Sequence, residues 1–303
     1  MSMVKNRSEI LFVYDVKDAN PNGDPVDENK PRIDEETGIN IVTDVRLKRT
    51  IRDYLNDYKG MDVFIVETRD NNGKLRTKED RLKDFQENTD EILKRCIDVR
   101  LFGATTAVKD KTVTLTGPVQ FKFGRSLHRV DMTYIKGTTV MPSQAGKGQG
   151  TFTEKYILPY SLIAFYGIVN ENAAKTQGIE LLEEDVYLLL EAIWNGTKNL
   201  ISTSKFGQMP RLLIQVVYKE NSFHIGELDK RIRFVSDKND EEIRDVAEGK
   251  LDITDLVNAL NIHKNAVKEI RYKVDERVIL SCDGRDMTLP EALKGFDIKE
   301  LIF

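Results

Sequence analysis

The sequence predicts an α+β fold whose four main strands and two main helices follow in the order βαββαβ, the ferredoxin-like arrangement. Three observations carry this. Apolar runs rich in β-forming residues occur at 9–16, 113–123, 156–168 and 211–218. Amphipathic stretches at 44–58 and 183–196 fall between them in the required order. A chain of 303 residues with 40% hydrophobic content can bury one sizeable core, with room for a second small lobe.

EILFVYDV (9–16) is a short run bounded by DANPNGDP, where Asn, Pro, Gly and Asp impose a turn, and it reads as a buried strand. A long polar excursion ends at the turn-like DEETG (34–38). Thr43 is placed as an N-cap for the helix 44–58. Leu47, Ile51, Tyr54, Leu55 and Tyr58 share one face of that helix, and Arg46, Lys48, Arg49 and Arg52 are expected on the other. MDVFIVET (61–68) is expected to be a strand and 79–97 a charged helix, with NNGK a turn between them. VTLTGPVQFKFGR (113–125) reads as a strand with a Gly-Pro irregularity. IKGTTVMPSQAGKGQGTFTE (135–154) reads as a loose loop or hairpin, and EKYILPYSLIAFYGIVN (154–170) as a strand kinked at Pro159. EEDVYLLLEAIWNGT (183–197) is a strong amphipathic helix and RLLIQVVYKE (211–220) another strand. Beyond 221 the pattern weakens, with a helix expected at 250–267, a strand at 272–280 and a short helix near 289–294.

Composition narrows the function. The charged fraction is 32% and the net charge −4, so nucleic-acid binding has to be sought in local patches. Cys96 and Cys282 stand alone, without the spacing of a zinc site or a disulfide scaffold. No apolar run approaches the ~20 residues that cross a bilayer, and MSMVKNRSE lacks the apolar centre of a signal peptide. The expectation is a cytoplasmic protein with no membrane association. His128, His224 and His263 are scattered, and no GxSxG, Walker or GxGxxG motif occurs. No cofactor, metal site or catalytic residue is expected.

Three patches could meet a nucleic acid. The basic face of helix 44–58 could follow successive phosphates, and it adjoins a Gly/Asn/Pro loop able to present N–H groups to anions; a solvated face is the plain alternative. Between 118 and 150, Lys122, Arg125, His128, Arg129, Lys136 and Lys147 are opposed only by Asp131, with Phe121, Phe123 and Tyr134 among them. Strand alternation instead turns both phenylalanines inward. In STSKFGQMPRLL (202–213), Lys205 and Arg211 have no acid nearby, although such a stretch also suits an ordinary helix-to-strand connection. Acidic residues gather at 180–191 and 237–248. Asp24, Asp27, Glu28, Asp34, Glu35 and Glu36 could attract a divalent ion, or form a solvated polar loop.

EILFVYDVKDANPNGDP, PRIDEETGINIVTDVRLKRTIRDYL, DVRLFGATT and LTGPVQFKFGRSLHRV resemble the large backbone subunit of type I CRISPR Cascade complexes, a RAMP-superfamily protein, and are most similar to its subtype I-B branch. The resemblance runs through most of residues 8–220. It implies an RRM-like palm over 1–220 with inserted fingers (60–110) and thumb (130–155), followed by a C-terminal extension (221–303) packed on the palm. It also implies polymerisation of several copies along CRISPR RNA beside other Cascade subunits, with target DNA met through the guide. By the same resemblance Arg46, Lys48, Arg49 and Arg52 are the RNA-backbone cations, and the loop from Asn20 through Asn22 to Asp24 lies beside the RNA path. The RNA-binding set expected from patches and resemblance together is Asn20, Asn22, Arg46, Lys48, Arg49, Arg52, Lys122, Arg125, His128, Arg129, Lys147 and Lys205. The resemblance further implies a subunit that does not itself cut nucleic acid. The alternative is a type III-like subunit that cleaves target RNA through a loop aspartate, Asp24 or Asp27.

Overall fold

A computed structural model describes residues 2–108, 111–138, 152–219 and 221–303. Expectations that fall on 139–151, including the role of Lys147, lie outside the described residues. The first apolar run forms β1 (Ser8–Ala19). The polar excursion is carried by β2 (Gly23–Asp24), β3 (Lys30–Pro31), β4 (Ile33–Asp34) and β5 (Ile39–Val42) to α1 (Asp44–Asp57). There follow α2 (Lys78–Lys83), α3 (Thr89–Arg95), α4 (Ile97–Phe102), the hairpin of β6 (Gly103–Val108) and β7 (Lys111–Thr116), then β8 (Val119–Phe121), β9 (Gly124–Arg129), β10 (Thr133–Thr138) and β11 (Phe152–Val169). Next come α5 (Glu171–Thr176), α6 (Glu183–Lys198) and β12 (Gln208–Tyr218). The last third contains β13 (Arg233–Val235), β14 (Lys250–Asp252), α7 (Thr254–Ile262), β15 (Val267–Val274), β16 (Leu280–Cys282), β17 (Arg285–Asp286), α8 (Leu289–Ala292) and β18 (Ile298–Glu300).

The central sheet is mixed. Its order is β18-β15-β12-β1-β11-β9-β5-β4, antiparallel except where β18 joins β15, with β8 and β10 also pairing to β11. β1 lies in its middle and is covered on both faces. Phe12, Tyr14 and Val16 pack with Leu47, Ile51 and Leu55 of α1 and Leu189 and Ile193 of α6. Leu11 and Val13 alternate to the other face and pack with Leu228, Ile232, Leu256 and Leu260 from the C-terminal part. A strand buried on both faces has no polar alternation, which is why 9–16 reads as one apolar run. The small sheet β13-β14-β16-β17 and α7 supply the second covering layer.

Two carboxylates of β1 are built into this interior. Glu9 of β1 is fully buried and accepts hydrogen bonds from the Tyr166 and Tyr218 hydroxyls and from the N–H groups of Ile225 (2.9 Å) and Gly226 (2.7 Å). Four donors replace its lost hydration and tie the C-terminal part to the central strand. Asp15 receives Arg211 at 2.9 Å and the Tyr160 hydroxyl at 3.2 Å. Burial raises its affinity for a proton against the opposing pull of Arg211.

Several expected elements differ. Residues 61–68 form no strand. At their centre the N–H groups of Phe64 (2.8 Å) and Ile65 (3.2 Å) donate to the fully buried Asp98 carboxylate and not to a neighbouring strand. The helix expected over 79–97 is broken into α2 and α3, because Gln86 and Glu87 adopt positive φ and Asn88 caps a new start. The strand expected over 113–125 is split at Gly117–Pro118 and again at Lys122–Phe123. A Cβ on Gly117 would lie 2.0 Å from the Phe102 carbonyl carbon, so only glycine permits that approach. The late strand occupies Val267–Val274 in place of 272–280, and the late helix is trimmed to Thr254–Ile262.

Asp98 also holds the buried Arg52 of α1 at 2.9 Å. Asp98→Ala would leave a buried guanidinium and two backbone donors without their partner, a loss of about 3–5 kcal/mol. The expected outcome in urea unfolding is a lower midpoint, with cleavage by a broad-specificity protease appearing first within 61–66.

Candidate nucleic-acid interface

At the C-terminal end of β1, three segments meet: the loop after β1, the start of α1 and the loop between α6 and β12. Thr43 opens α1 with extended backbone, and its Oγ1 accepts the Arg46 N–H at 3.3 Å. Asn22 fixes this cap in turn, its Oδ1 accepting both the Thr43 N–H (2.8 Å) and the Thr43 hydroxyl (2.9 Å). Asn20 is 2% exposed; its N–H bonds the Ser204 carbonyl at 2.7 Å and its Nδ2 donates to the Asn29 carbonyl at 2.7 Å. Two side-chain loops are thereby drawn onto the strand end, and the first turn of α1 is aimed at them.

Into this junction project Arg46 and Lys205. Arg46 donates to Thr50 Oγ1 at 2.9 Å, and its Nε has no partner. Burial lowers its affinity for a proton, against the favourable field of Asp53 and Tyr14. Burial likewise lowers that of Lys205, and the Arg46 charge beside it adds to the effect. Among the described residues neither cation forms an ion pair; Lys205 contacts only the Ser204 hydroxyl, at 3.3 Å. Gln208 stands opposite Val16 in register, so it shares the α1 face of the sheet, and its Nε2 is buried without an acceptor. The Asn20 Oδ1 is also unpartnered. Sequence reading missed Gln208, whose only signal is its place at the end of an apolar strand. A half-buried pair of like charges with unused donors beside it is costly alone and favours an anion.

The structure brings Asn20, Asn22, Arg46 and Lys205 together and places the other candidates elsewhere. The basic face of α1 is not a continuous stripe. Lys48 pairs with Asp44 at 2.9 Å and Arg49 with Asp53 at 2.6 Å. Arg52 is buried against Asp98 and over the Phe102 ring, which corrects its expected solvent-facing role: it stands at the border of the apolar face, and a counter-charge 46 residues away draws it in. Lys122 bonds Asp229 at 3.2 Å, and Arg129 pairs with Glu241 at 3.1 Å while its N–H bonds Asp240. The acidic stretch 237–248 is therefore not segregated from the cations of 118–130 but lies against them. Arg125 is exposed, with Asp34 at 3.7 Å. Phe121 is buried as strand alternation predicts, whereas the break after β8 turns Phe123 outward.

His128 is a core residue and not a surface cation. Its Nδ1–H donates to the Arg129 carbonyl at 2.8 Å and its Nε2 accepts the Leu162 N–H at 3.2 Å, between the Tyr160 and Phe234 rings. The acidic loop is internally bonded as well. Asp24 holds Arg32 at 2.7 Å and Asp27 holds Lys30 at 2.7 Å. Among the described residues no cluster of three or more His, Cys, Asp or Glu side chains is arranged to hold a metal ion, and no helix is long and apolar enough to cross a membrane.

Residues 6–254 match the family model described as CRISPR-associated protein Cas7. A curated relative, CRISPR-associated protein Cas7 of Haloferax volcanii, is 34% identical over 332 aligned positions, covering 98% of this chain and 96% of the relative. Two solved structures share the fold. A chain of a CRISPR RNA-guided surveillance complex aligns with a TM-score of 0.55 at 16% identity, covering 89% of each chain. A chain of such a complex in a pre-nicking state aligns with a TM-score of 0.56 at 12% identity, covering 97% of this chain and 96% of that one.

The His128 geometry fixes a pH dependence. Burial lowers its pKa below the ordinary imidazole value, against the opposing effects of the Arg129 carbonyl, Asp240 and Glu241. The unfolded chain then takes up its proton first as pH falls. The stabilisation is complete above about pH 6.5 and declines below it, as the pH approaches the lowered folded value. Thermal unfolding between pH 7.5 and 5 is expected to show this decline, and His128→Gln to flatten it.

Proposed function

The chain belongs to the Cas7 family of CRISPR-associated proteins, and from that premise we propose that it is the CRISPR RNA-binding backbone subunit of a type I Cascade surveillance complex, holding the guide by its phosphates at the Arg46–Lys205 junction. The observation that carries the reading is this pair of half-buried cations with no carboxylate partner, flanked by the unused Nε of Arg46 and Nε2 of Gln208. A phosphate between the two cations accepts from both and offsets the mutual repulsion of their charges. Phosphate contacts carry no sequence information, so such a subunit accepts any guide and leaves specificity to base pairing with target DNA.

Within this reading, β12-β1-β11 with β8 and β9, backed by α1 and α6, is an RRM-like palm. Residues 60–110 are the fingers, 130–155 the thumb, and 221–303 an extension packed on the palm. The thumb assignment is supported by the β10/β11 hairpin, which carries exposed Tyr134, Ile135 and Phe152. The partners are CRISPR RNA, further copies of this chain and other Cascade subunits. Asn20 and Asn22 act as positioning residues for the junction. We assign no cleavage to Asp24 or Asp27, because both carboxylates already hold cations of their own loop.

The test is equilibrium binding of single-stranded CRISPR RNA across a salt series. The logarithmic salt slope for single strands is about 0.7 per phosphate contact. Replacing both Arg46 and Lys205 with Ala should lower affinity at least tenfold and reduce the slope by about 0.7, because the two cations share one phosphate. Lys122→Ala should leave the slope unchanged, since that cation already has a carboxylate partner. An unaltered slope in the Arg46/Lys205 variant overturns the assignment. Complementary RNA added with magnesium should remain intact.

A further inference from the structure

Two consecutive residues of β11 hold the two loops that form the junction. Tyr156 donates its hydroxyl to the Glu28 carboxylate at 2.8 Å, and the Lys30 ammonium lies 5.4 Å from the centre of its ring. Lys155 donates to the Thr203 carbonyl at 3.4 Å. Both residues sit where the β10/β11 hairpin joins the body of the protein: β11 is exposed through Lys155, half-buried at Tyr156 and buried from Ile157. Tyr134 of β10 stands opposite Tyr156, with the ring centroids 5.1 Å apart.

From Tyr156 a series of contacts runs to the cations. Glu28 is followed by Asn29, whose carbonyl accepts the Asn20 Nδ2 at 2.7 Å. The Asn20 N–H donates to the Ser204 carbonyl at 2.7 Å, and the Ser204 hydroxyl receives the Lys205 ammonium at 3.3 Å. A hydrogen bond between two partly exposed side chains is ordinary by itself. What distinguishes this one is the backbone it holds. Glu28 and Asn29 are both left-handed, with φ 48° and 58°. That conformation is unfavourable for a residue with a side chain and persists where its surroundings over-determine it. Among the described residues, the hydrogen bonds that reach this pair from outside β2, β3 and their turn come from Tyr156, to the Glu28 carboxylate, and from Asn20, to the Asn29 carbonyl.

We propose that Tyr156 is a positioning residue for the RNA junction: through Glu28 it keeps the loop after β1 in the shape that presents Asn20 to the loop carrying Lys205, and so sets the spacing of the two cations that hold a phosphate. This rests on the RNA-binding reading above. Tyr156 acts through its hydroxyl and not through contact with the RNA.

The experiment compares three variants of the full chain. Tyr156→Phe keeps the ring and removes the hydroxyl; Glu28→Gln keeps an oxygen that accepts from it; Glu28→Ala keeps neither charge nor acceptor. Binding of a single-stranded RNA is followed by fluorescence anisotropy at constant salt, and amide exchange without RNA by mass spectrometry. Tyr156→Phe should bind about fivefold more weakly than wild type, and Glu28→Ala about fivefold more weakly than Glu28→Gln, which has the same charge. Tyr156→Phe should also speed exchange across 20–30 while α6 exchanges as in wild type. In a chain that already carries Arg46→Ala and Lys205→Ala, Tyr156→Phe should cause no further loss. Unchanged affinity in Tyr156→Phe overturns the proposal, as does unchanged exchange across 20–30. So does an equal loss in the Arg46/Lys205 background, which would make Tyr156 an independent RNA contact. A wild-type chain that binds RNA no better than Tyr156→Phe sinks the positioning role alone, whereas a wild-type chain that binds no RNA sinks the RNA-binding reading and this role with it.

Discussion

The burial of β1 on both faces governs everything else. In a sheet with one open face, aromatic and basic side chains of the middle strands can meet a ligand directly. Here the helices close one side and the C-terminal part closes the other, held there by four hydrogen bonds to the buried Glu9 carboxylate. Neither face of β1 remains for a polymer to lie on. The only part of β1 that can serve a ligand is its end, where the chain leaves the sheet at Asn20, and there α1 begins and the loop before β12 returns.

The same closure explains how the cations divide. Lys122, Arg129 and Lys17 lie where the C-terminal part covers the sheet, and Asp229, Glu241 and Asp245 answer them. Such partly exposed pairs contribute about 0–1 kcal/mol each and fix orientation more than stability. Arg52 and Asp98 differ in kind. Both are buried, so the loss of either strands the other, and the pair holds the residues after α1 against it. Among the described residues Arg46 and Lys205 form no ion pair, and their like charges share a half-buried space.

Local pattern made much of this legible. The 3.6-residue periodicity from Leu47 to Leu55 and the threonine before it located α1 to within a residue, and the unbroken apolar run located β1. The grouping of Asn20, Asn22, Arg46 and Lys205 was approached from loop chemistry and a family resemblance. What the chain concealed was long-range. Residues 61–68 have the composition of a strand, but a carboxylate more than thirty residues later takes their N–H groups. Helical periodicity sets Arg52, and the cluster of cations in 118–150 sets His128, among the RNA-facing residues, because neither pattern registers a distant counter-charge or a ring acceptor needed by the Leu162 N–H. The helix expected over 79–97 broke at Gln86 and Glu87, where left-handed backbone at two non-glycine positions is invisible to propensity.

β11 is continuous for 18 residues, exposed over its first four and buried through most of the rest. Pro159 does not interrupt it, because the residue opposite, Asp18, takes up the irregularity with φ 50°. The outer hairpin and the molecular centre are consequently parts of one stiff ribbon. Eight residues after Phe152 the same strand sets Tyr160 opposite Lys17, three residues before the other chain segment reaches Asn20. The exposed start of β11 and the junction at Asn20 are thus joined through the pairing of β11 with β1.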